Sequence, residues 1–321
     1  MSTKESLLQL LQANRGLYLS GQEIAGKLGI SRAAVCKAVK SLRDQGVSIE
    51  AVTNRGYCLQ EPPDLITEQA VRCHLTEDCF RISIFSSLPS TNSYLRDLAS
   101  QGAPEGTVVI ARQQTAGRGR MGRSFYSPED TGLYMSLLLR PSDMSPTQSL
   151  QVTTTAAAAL CLAIRDETGL EPRIKWVNDL YLNGKKICGI LTEAALSLET
   201  GALDYAVLGL GLNLYPPKDD FPEELSSIAG YLTEQPEENL KARLAAGFLN
   251  HFWHFYSHQD FAAAGDIYRR NCHLIGKTVL VGVTGKKAQV LDITDQCRLS
   301  LQYENGETDL LSYGEVSIVN L

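Results

Sequence analysis

No stretch of this 321-residue chain comes near the roughly 18–20 consecutive apolar residues that a membrane-spanning helix needs. Met1 to Glu5 are polar and offer no apolar core for a secretory leader. C-x-x-C pairs are missing too. The eight cysteines, Cys36, Cys58, Cys73, Cys79, Cys161, Cys188, Cys272 and Cys297, are scattered, and Cys73-His74 with Cys79 fits no common zinc spacing. Free, buried thiols in a reducing cytoplasm are the expectation, with no membrane partner and no metal-ligand set assigned. Acidic residues are absent between Glu105 and Glu129, where Arg112, Arg118, Arg120 and Arg123 all fall. The chain as a whole carries a formal charge of -6, so this local block of cations suggests a place where an anion is held.

Hydrophobic residues make up 44% of the chain and charged residues 21%, enough to bury a core, and the length fits about two or three domains. Residues 1–62 hold eight Lys/Arg against five Asp/Glu, a net of +3, so the remainder carries -6 minus 3, or -9. A basic segment ahead of an acidic body hints at nucleic acid at that end.

Leu7, Leu8, Leu10 and Leu11 recur at helical spacing before Gly16. Ser20-Gly21-Gln22-Glu23 has the form of a capping box for a short helix ended by Gly29. Ser31 caps a second helix running from Arg32 to about Gln45 and closed by Gly46, with Ala34, Val35, Ala38, Val39 and Leu42 on one face. Two strands, Val47 to Val52 and Tyr57 to Leu59, flank the turn Thr53-Asn54-Arg55-Gly56. This is the pattern of a winged helix-turn-helix, whose second helix enters the major groove; a small protein-interaction bundle is the competing reading. The DNA-facing candidates are Gly21, Gln22, Ser31, Arg32, Lys37 and Lys40, with Arg55 at the wing tip to meet a phosphate. Pro62-Pro63 reads as a linker.

From about 65 to 272, strand and helix patterns mix, with a hairpin dipeptide at Asn183-Gly184, which favours α+β over a doubly wound sheet. The stretch Gln114-Thr115-Ala116-Gly117-Arg118-Gly119-Arg120-Met121-Gly122-Arg123-Ser124-Phe125 packs three glycines and three arginines into seven residues. Such a loop can bring backbone N–H groups and guanidinium forks to a phosphate or carboxylate, or can be a solvated basic loop or a nucleic-acid segment. Ser90-Thr91-Asn92, at a strand-to-helix turn, can cap the helix or hydrogen-bond a small polar head group. Lys175-Trp176-Val177-Asn178-Asp179 suits a metal-phosphate site or an ordinary turn. Lys185 and Lys186 stand at the mouth of an apolar strand, and Gly209-Leu210-Gly211-Leu212-Asn213 marks close approach of a ligand or neighbour without being a dinucleotide fingerprint.

Taken in order, Gln-x-Ala-Gly-Arg-Gly-Arg-x-Gly-Arg, Lys-Trp-x-Asn-Asp-Leu, Lys-Ile-x-Gly-Ile-Leu and Gly-x-Gly-Leu-Asn resemble the biotin–protein ligase family. With the winged helix in front, the whole chain is similar to the bifunctional branch that also represses biotin genes. The resemblance implies an ATP-dependent ligase that forms biotinyl-5'-adenylate and transfers biotin to a lysine of a biotin carboxyl carrier protein. It implies Ser90, Thr91, Asn92 and Gln114 around biotin's ureido ring; Arg118, Gly119 and Arg120 in the loop that closes over biotin and the acyl phosphate; and Lys186 at the carboxylate and α-phosphate. Lys175, Asn178 and Asp179 match positions near the phosphates and Mg²⁺, and Arg123, Phe125 and Asn213 belong to the nucleotide side. Arg118, Arg120, Lys175, Asp179 and Lys186 are thereby the catalytic candidates. The family also implies operator DNA as partner and a homodimer bound to biotinyl-adenylate, with strands Gly189–Ala195 and Tyr205–Gly211 as candidate pairing edges. Two departures stand out: Val177 replaces a usual proline, and Phe125 replaces a tryptophan that commonly stacks on adenine.

Residues from about 275 to 321 read as five short strands, beginning with Thr278–Val283, and turning at Gly285-Lys286, Asn305-Gly306 and Tyr313-Gly314. The resemblance makes this an SH3-like C-terminal barrel. A ligand-sensing factor with a dead ligase fold and a lipoate ligase are the competing functions; the retained cations and the Gly-Arg-Gly-Arg loop argue against each in turn.

Overall fold

The computed structural model describes residues 3–44, 47, 49–60, 64–141, 149–196, 203–282, 284–312, 314 and 316–319. Gly46, the Pro62-Pro63 linker, Val283 and Tyr313 lie outside the described residues. The chain divides into two compact units, Met1–Leu65 and Ile66–Leu321.

In the first unit, helices α1 (Thr3–Ala13), α2 (Gly21–Leu28) and α3 (Arg32–Asp44) precede a hairpin of β1 (Ile49–Val52) and β2 (Gly56–Leu59). The capping box forms as the sequence predicts. Ser20 Oγ accepts from Glu23 N, the Glu23 carboxylate accepts from Ser20 N, and Gly29 ends α2 in the left-handed region at φ 66°. Ser31 Oγ accepts from Ala34 N at 3.2 Å and starts α3. Leu7, Leu11, Ile24, Val35, Val39, Leu42, Ile49 and Leu59 close one small core. Gly56 is fixed by geometry. Its φ is 110°, and a Cβ there would lie 2.1 Å from the Leu19 carbonyl, because Leu19 and Tyr57 exchange backbone hydrogen bonds at 2.9 and 2.8 Å.

The second unit runs α4 (Glu68–Arg72), β3 (Arg81–Phe85), α5 (Thr91–Ser100), β4 (Thr107–Ala111), β5 (Gly132–Leu139), α6 (Ser149–Thr168), β6 (Arg173–Lys175), β7 (Asp179–Leu182), β8 (Lys185–Leu196), β9 (Leu203–Asn213), α7 (Glu223–Ser226), α8 (Leu240–Ser257) and α9 (Phe261–Asn271). β10 (Thr278–Val281), β11 (Lys286–Ile293), β12 (Leu299–Tyr303), β13 (Thr308–Leu311) and β14 (Val316–Ile318) follow. Seven strands form one mixed sheet in the order β3-β4-β5-β9-β8-β7-β6, parallel only between β3 and β4. Every residue of β4 and β5 is buried, which explains their largely apolar sequences, with Thr107 and Ser136 as the buried polar exceptions. α6 and α8 contribute Ala156–Ala159, Leu244 and Phe248 to the large cluster on one face, whereas Leu95 and Ala99 of α5 pack on Val109, Leu138 and Val207 opposite.

The β7–β8 turn is the two-residue loop that Asn183-Gly184 predicts, with φ of 50° and 78°. β9 lies between β5 and β8 along its length, so Tyr205–Gly211 presents no edge for pairing. The second half of β8 is different: β7 pairs with it only as far as Gly189. The last five strands make an antiparallel sheet in the order β13-β12-β11-β10-β14, and its Val279, Val290, Leu299 and Leu301 join the same core as α6 and α8.

Candidate functional site

A cleft opens where the N-terminus of α5, the glycine-arginine loop, the β6–β7 turn and the middles of β8 and β9 meet. Five sequence stretches, spread from Ser90 to Gly211, supply its walls, among them Gln114, Arg118, Arg120, Asn178, Asp179 and Lys186.

One end is a buried polar network. Ser90 caps α5, accepting from Ser93 N, and Thr91 and Asn92 follow at 3% and 4% exposure. Gln114 Oε1 accepts from Thr91 N at 2.9 Å and from Thr91 Oγ1 at 3.1 Å, while Gln114 Nε2 donates to Ser127 Oγ at 3.0 Å. Fully buried Ser136 on β5 reaches Thr91 Oγ1 at 2.8 Å and Asn92 Oδ1 at 2.6 Å. Asn92 Nδ2 donates to Leu191 O and to Glu193 Oε2. Both readings of Ser90-Thr91-Asn92 thus meet here, the cap and the head-group wall.

Sequence reasoning missed Ser136 and Glu193. Each sits in a strand whose periodicity gave no reason to single it out. Only the pairing of β5 with β9 and of β8 with β9 brings them under α5.

The other end is ionic. Lys186 Nζ is 2.7 Å from Asp179 Oδ1. Asn178 Nδ2 donates to Asp179 Oδ1 and to Ile190 O, and Asn178 Oδ1 accepts from Arg120 NH1 at 2.8 Å. Arg118 NH1 is 3.0 Å from Glu193 Oε1. The loop itself is a small irregular hairpin: Arg118 and Ser124 are bridged, Phe125 N donates to Gly117 O, and a short turn spans Arg120–Gly122. Arg112 lies outside this cation group, because its guanidinium is taken by Asp130 and Glu129.

The glycines of β8 and β9 have an exact geometric use. A Cβ at Gly211 would lie 2.7 Å from the Phe125 ring, and one at Gly189 would lie 3.4 Å from it. One at Gly209 would lie 2.1 Å from Asn92 Oδ1. The close approach predicted from Gly-Leu-Gly is therefore that of two side chains of this chain.

Two expected site residues point elsewhere. Lys175 Nζ sits 5.9 Å from the Tyr181 ring centroid, and Asn213, 9% exposed, donates to Gly230 O at 3.0 Å; neither lines the cleft. The turn that carries Asn178 and Asp179 is held from behind by Trp176 Nε1 donating to Cys297 O and Tyr268 OH donating to Val177 O. The Trp176–Val177 peptide is cis. Burial pushes the Tyr181 hydroxyl up to about 12 and drives the Cys188 thiol well above its usual range, so neither ionises near neutrality. Among the described residues no group of three or more His, Cys, Asp and Glu could hold a metal ion.

In the first unit Gln22, Ser31, Arg32, Lys37 and Lys40 are exposed and Gly21 is half-buried. Arg55 is exposed at the hairpin tip, its guanidinium 4.4 Å from the centroid of the Tyr18 ring. Arg43 is instead spent inside the unit, donating to Ile49 O at 2.6 Å.

Residues 84–213 match the biotin/lipoate A/B protein ligase family, and residues 3–58 match a helix-turn-helix domain. The chain is 38% identical over 250 residues to the bifunctional ligase/repressor BirA of Bacillus subtilis, covering 77% of this chain and 75% of that protein. It is 35% identical over 199 residues to the BirA of Escherichia coli, covering 62% and 60%. Among solved structures, the biotin protein ligase of Aquifex aeolicus in complex with biotin and ATP superposes with a TM-score of 0.62 at 23% identity, over 75% of this chain and 99% of that one, a likeness of fold. Motifs, fold and relatives agree, and the chain belongs to the biotin/lipoate A/B protein ligase family, with a helix-turn-helix domain ahead of the ligase domain.

Proposed function

We propose that the cleft joins biotin to ATP and then to a carrier protein, and that the winged helix makes the same chain a repressor of biotin genes. The activity is that of a biotin–[biotin carboxyl carrier protein] ligase, ATP-dependent and AMP-forming. The observation that carries this reading is the convergence of the glycine-arginine loop, Asn178-Asp179, Lys186 and the Gly209/Gly211 strand on one cleft. Residues 1–62 serve as the DNA-binding domain, 65–272 as the catalytic domain and 275–321 as the C-terminal domain, in a cytoplasmic protein.

Biotin's ureido ring fits the network of Ser90, Thr91 and Gln114, whose hydrogen bonds are already oriented. Its carboxylate then lies toward Lys186, Arg118 and Arg120. The carboxylate oxygen attacks the α-phosphorus of ATP, an O–P bond forms, and pyrophosphate leaves. Both reactants are anions, so preset cations lower the barrier by meeting the charge as it gathers on the phosphoryl oxygens. Asp179 and Asn178 hold Lys186 and Arg120 at their posts. Arg123 and Phe125 stand on the nucleotide side, with Phe125 as the stacking surface. Lys175 and Asn213 act from behind the wall, through Tyr181 and Gly230. Asp179 is a single hard-oxygen ligand lining the cleft, which together with phosphate oxygens suits Mg²⁺; the ion would neutralise phosphate charge. In the second step the carrier lysine's amine attacks the acyl carbon and AMP departs. The adenylate is a mixed anhydride, and a loop closed over it keeps water out.

Release of pyrophosphate from ATP in the presence of biotin, with lipoate as the control, tests the proposal. Pyrophosphate release that is equal with lipoate, or absent with biotin, would sink it. A homodimer formed on biotinyl-adenylate is the further part of the reading, and the edge of β8 beyond Ile190, where β7 no longer pairs with it, is the strand edge that could pair.

A further inference from the structure

Glu193 lies on β8, at the one place where that strand, the N-terminus of α5 and the glycine-arginine loop come together. Its Oε2 accepts from Asn92 Nδ2 at 2.9 Å, and its Oε1 is 3.0 Å from Arg118 NH1, with Arg96 NH1 at 3.5 Å. The Glu193 side chain is about four-fifths buried, at 22% exposure, whereas the Arg118 side chain it meets is at 44%. The fixed partner is therefore the acid, and the movable one is the arginine.

What fixes Glu193 is Asn92. The Asn92 amide is used up from all sides: Ser136 Oγ reaches Oδ1, Nδ2 donates to Leu191 O and Glu193, and Gly209 leaves no room for even a methyl group beside it. An amide so committed has no donor to spare for a ligand. Its geometry instead aims the Glu193 carboxylate at the loop. An arginine fork bound through NH1 on one side keeps its remaining N–H groups in a set plane.

We propose that Glu193 is a positioning residue that holds Arg118 over the mouth of the cleft before any ligand arrives, and that Asn92 serves biotin binding by holding Glu193. The inference rests on the ligase reading of the cleft. It makes this half of the loop preset, which lowers the ordering cost of closing it on an anion.

The experiment compares the full chain with Glu193→Gln, which keeps an acceptor for Asn92 and loses the charge that meets Arg118. Trypsin cleavage after Arg118 and Arg120 is followed in protein without ligand, and biotin affinity is measured by calorimetry without nucleotide. Faster cleavage and about fivefold weaker biotin binding are expected, the scale of a half-exposed ion pair. KM for biotin should rise and kcat at saturating biotin should fall severalfold with it, as for a displaced cation that meets charge in the transition state. In an Arg118→Ala background, the Glu193→Gln change should add nothing to the loss of biotin affinity. Losses that add in full would show that Glu193 acts through the fold alone and would overturn the proposal, as would wild-type cleavage and affinity in the single variant. Should Glu193→Gln fail to fold, Glu193→Asp, which keeps charge but withdraws it by one methylene, carries the same expectations and the same refutation. Failure of the ligase reading would be seen separately, as absent biotin binding by the wild type, and the ligand-free cleavage comparison would still judge the role of Glu193.

Discussion

Lys186 and Asp179 form an ion pair of 2.7 Å across the β7–β8 ladder, with side chains 28% and 20% exposed. The strand-mouth lysine is thus a cation already aimed. Lys186→Ala should lower single-turnover formation of biotinyl-adenylate by at least about 100-fold, the scale of losing one preset electrostatic donor. Asp179→Asn should leave the lysine in place but free to wander, and should cost less. Near-normal adenylation by the Lys186→Ala protein would remove that residue from the chemistry.

Arg120 reaches across the cleft to Asn178 Oδ1 at 2.8 Å, and so ties the loop to the opposite wall. Arg120→Gly should let the loop part from the wall and leak the adenylate. The expected sign is biotin on lysines of bystander proteins mixed with the variant, read by blotting, while the wild type labels only the carrier. Equal labelling of bystanders by both proteins would count against loop closure by Arg120.

Gly209 has no space for a side chain, since a Cβ would come within 2.1 Å of Asn92 Oδ1. Gly209→Ala should destabilise the fold by about 1–3 kcal/mol, the range for overpacking a tight interior. Asn92→Ala in the same chain should relieve the clash and add less than it costs alone. Denaturant midpoints of the three variants decide this; additive losses would mean that the two residues do not collide.

His273 Nδ1 donates to Ile174 O at 3.0 Å, and burial lowers its pKa from the ordinary 6.5. The folded protein then binds this proton less readily than the unfolded chain does. The stability tied to neutral His273 is complete above pH 6.5 and is lost as pH falls from there toward the folded value. Melting temperature should drop on that acid side, and His273→Gln should flatten the slope. A slope unchanged in the variant would mean that other groups carry the acid sensitivity.

Most helices and hairpins were legible because their signals are local. The Ser20 box, Gly29 and Asn183-Gly184 each state their own geometry within four residues. The cleft was legible as a set of motifs, but not as a set of contacts. Lys175 and Asn178 are three residues apart, yet one lies against Tyr181 and the other faces the cleft, because the chain turns between β6 and β7. Arg112 looked like part of the anion site until Asp130, eighteen residues on, was found to take it. Ser136 and Glu193 gave no signal at all, since their partners lie 44 and 101 residues away in sequence.

The repressor half of the proposal turns on numbers of phosphate contacts. The exposed basic residues Arg32, Lys37 and Lys40 stand on α3, with Arg55 on the hairpin, and residues 1–62 carry a net charge of only +3. One such domain should bind DNA weakly and lose affinity steeply with salt. Two, joined by a dimer, would read two half-sites and bind far more tightly. Dimerisation has a strand edge available in β8 beyond Ile190, which no other described strand pairs on its β7 side, and this is the strand that carries Glu193 toward the loop. Ligand that settles the loop can therefore favour pairing of that edge, and linkage demands that the dimer then favour the ligand by the same factor. Sedimentation velocity with and without biotin plus ATP should show a shift toward dimer, and gel shifts on a palindromic site upstream of biotin genes should strengthen in parallel. Lys37→Ala should weaken binding to all sequences alike and reduce the salt slope by about one. Deleting residues 1–62 should abolish the gel shift and leave adenylation intact. A protein that stays monomeric at every ligand level and shifts no DNA would leave the ligase reading standing and end the repressor one.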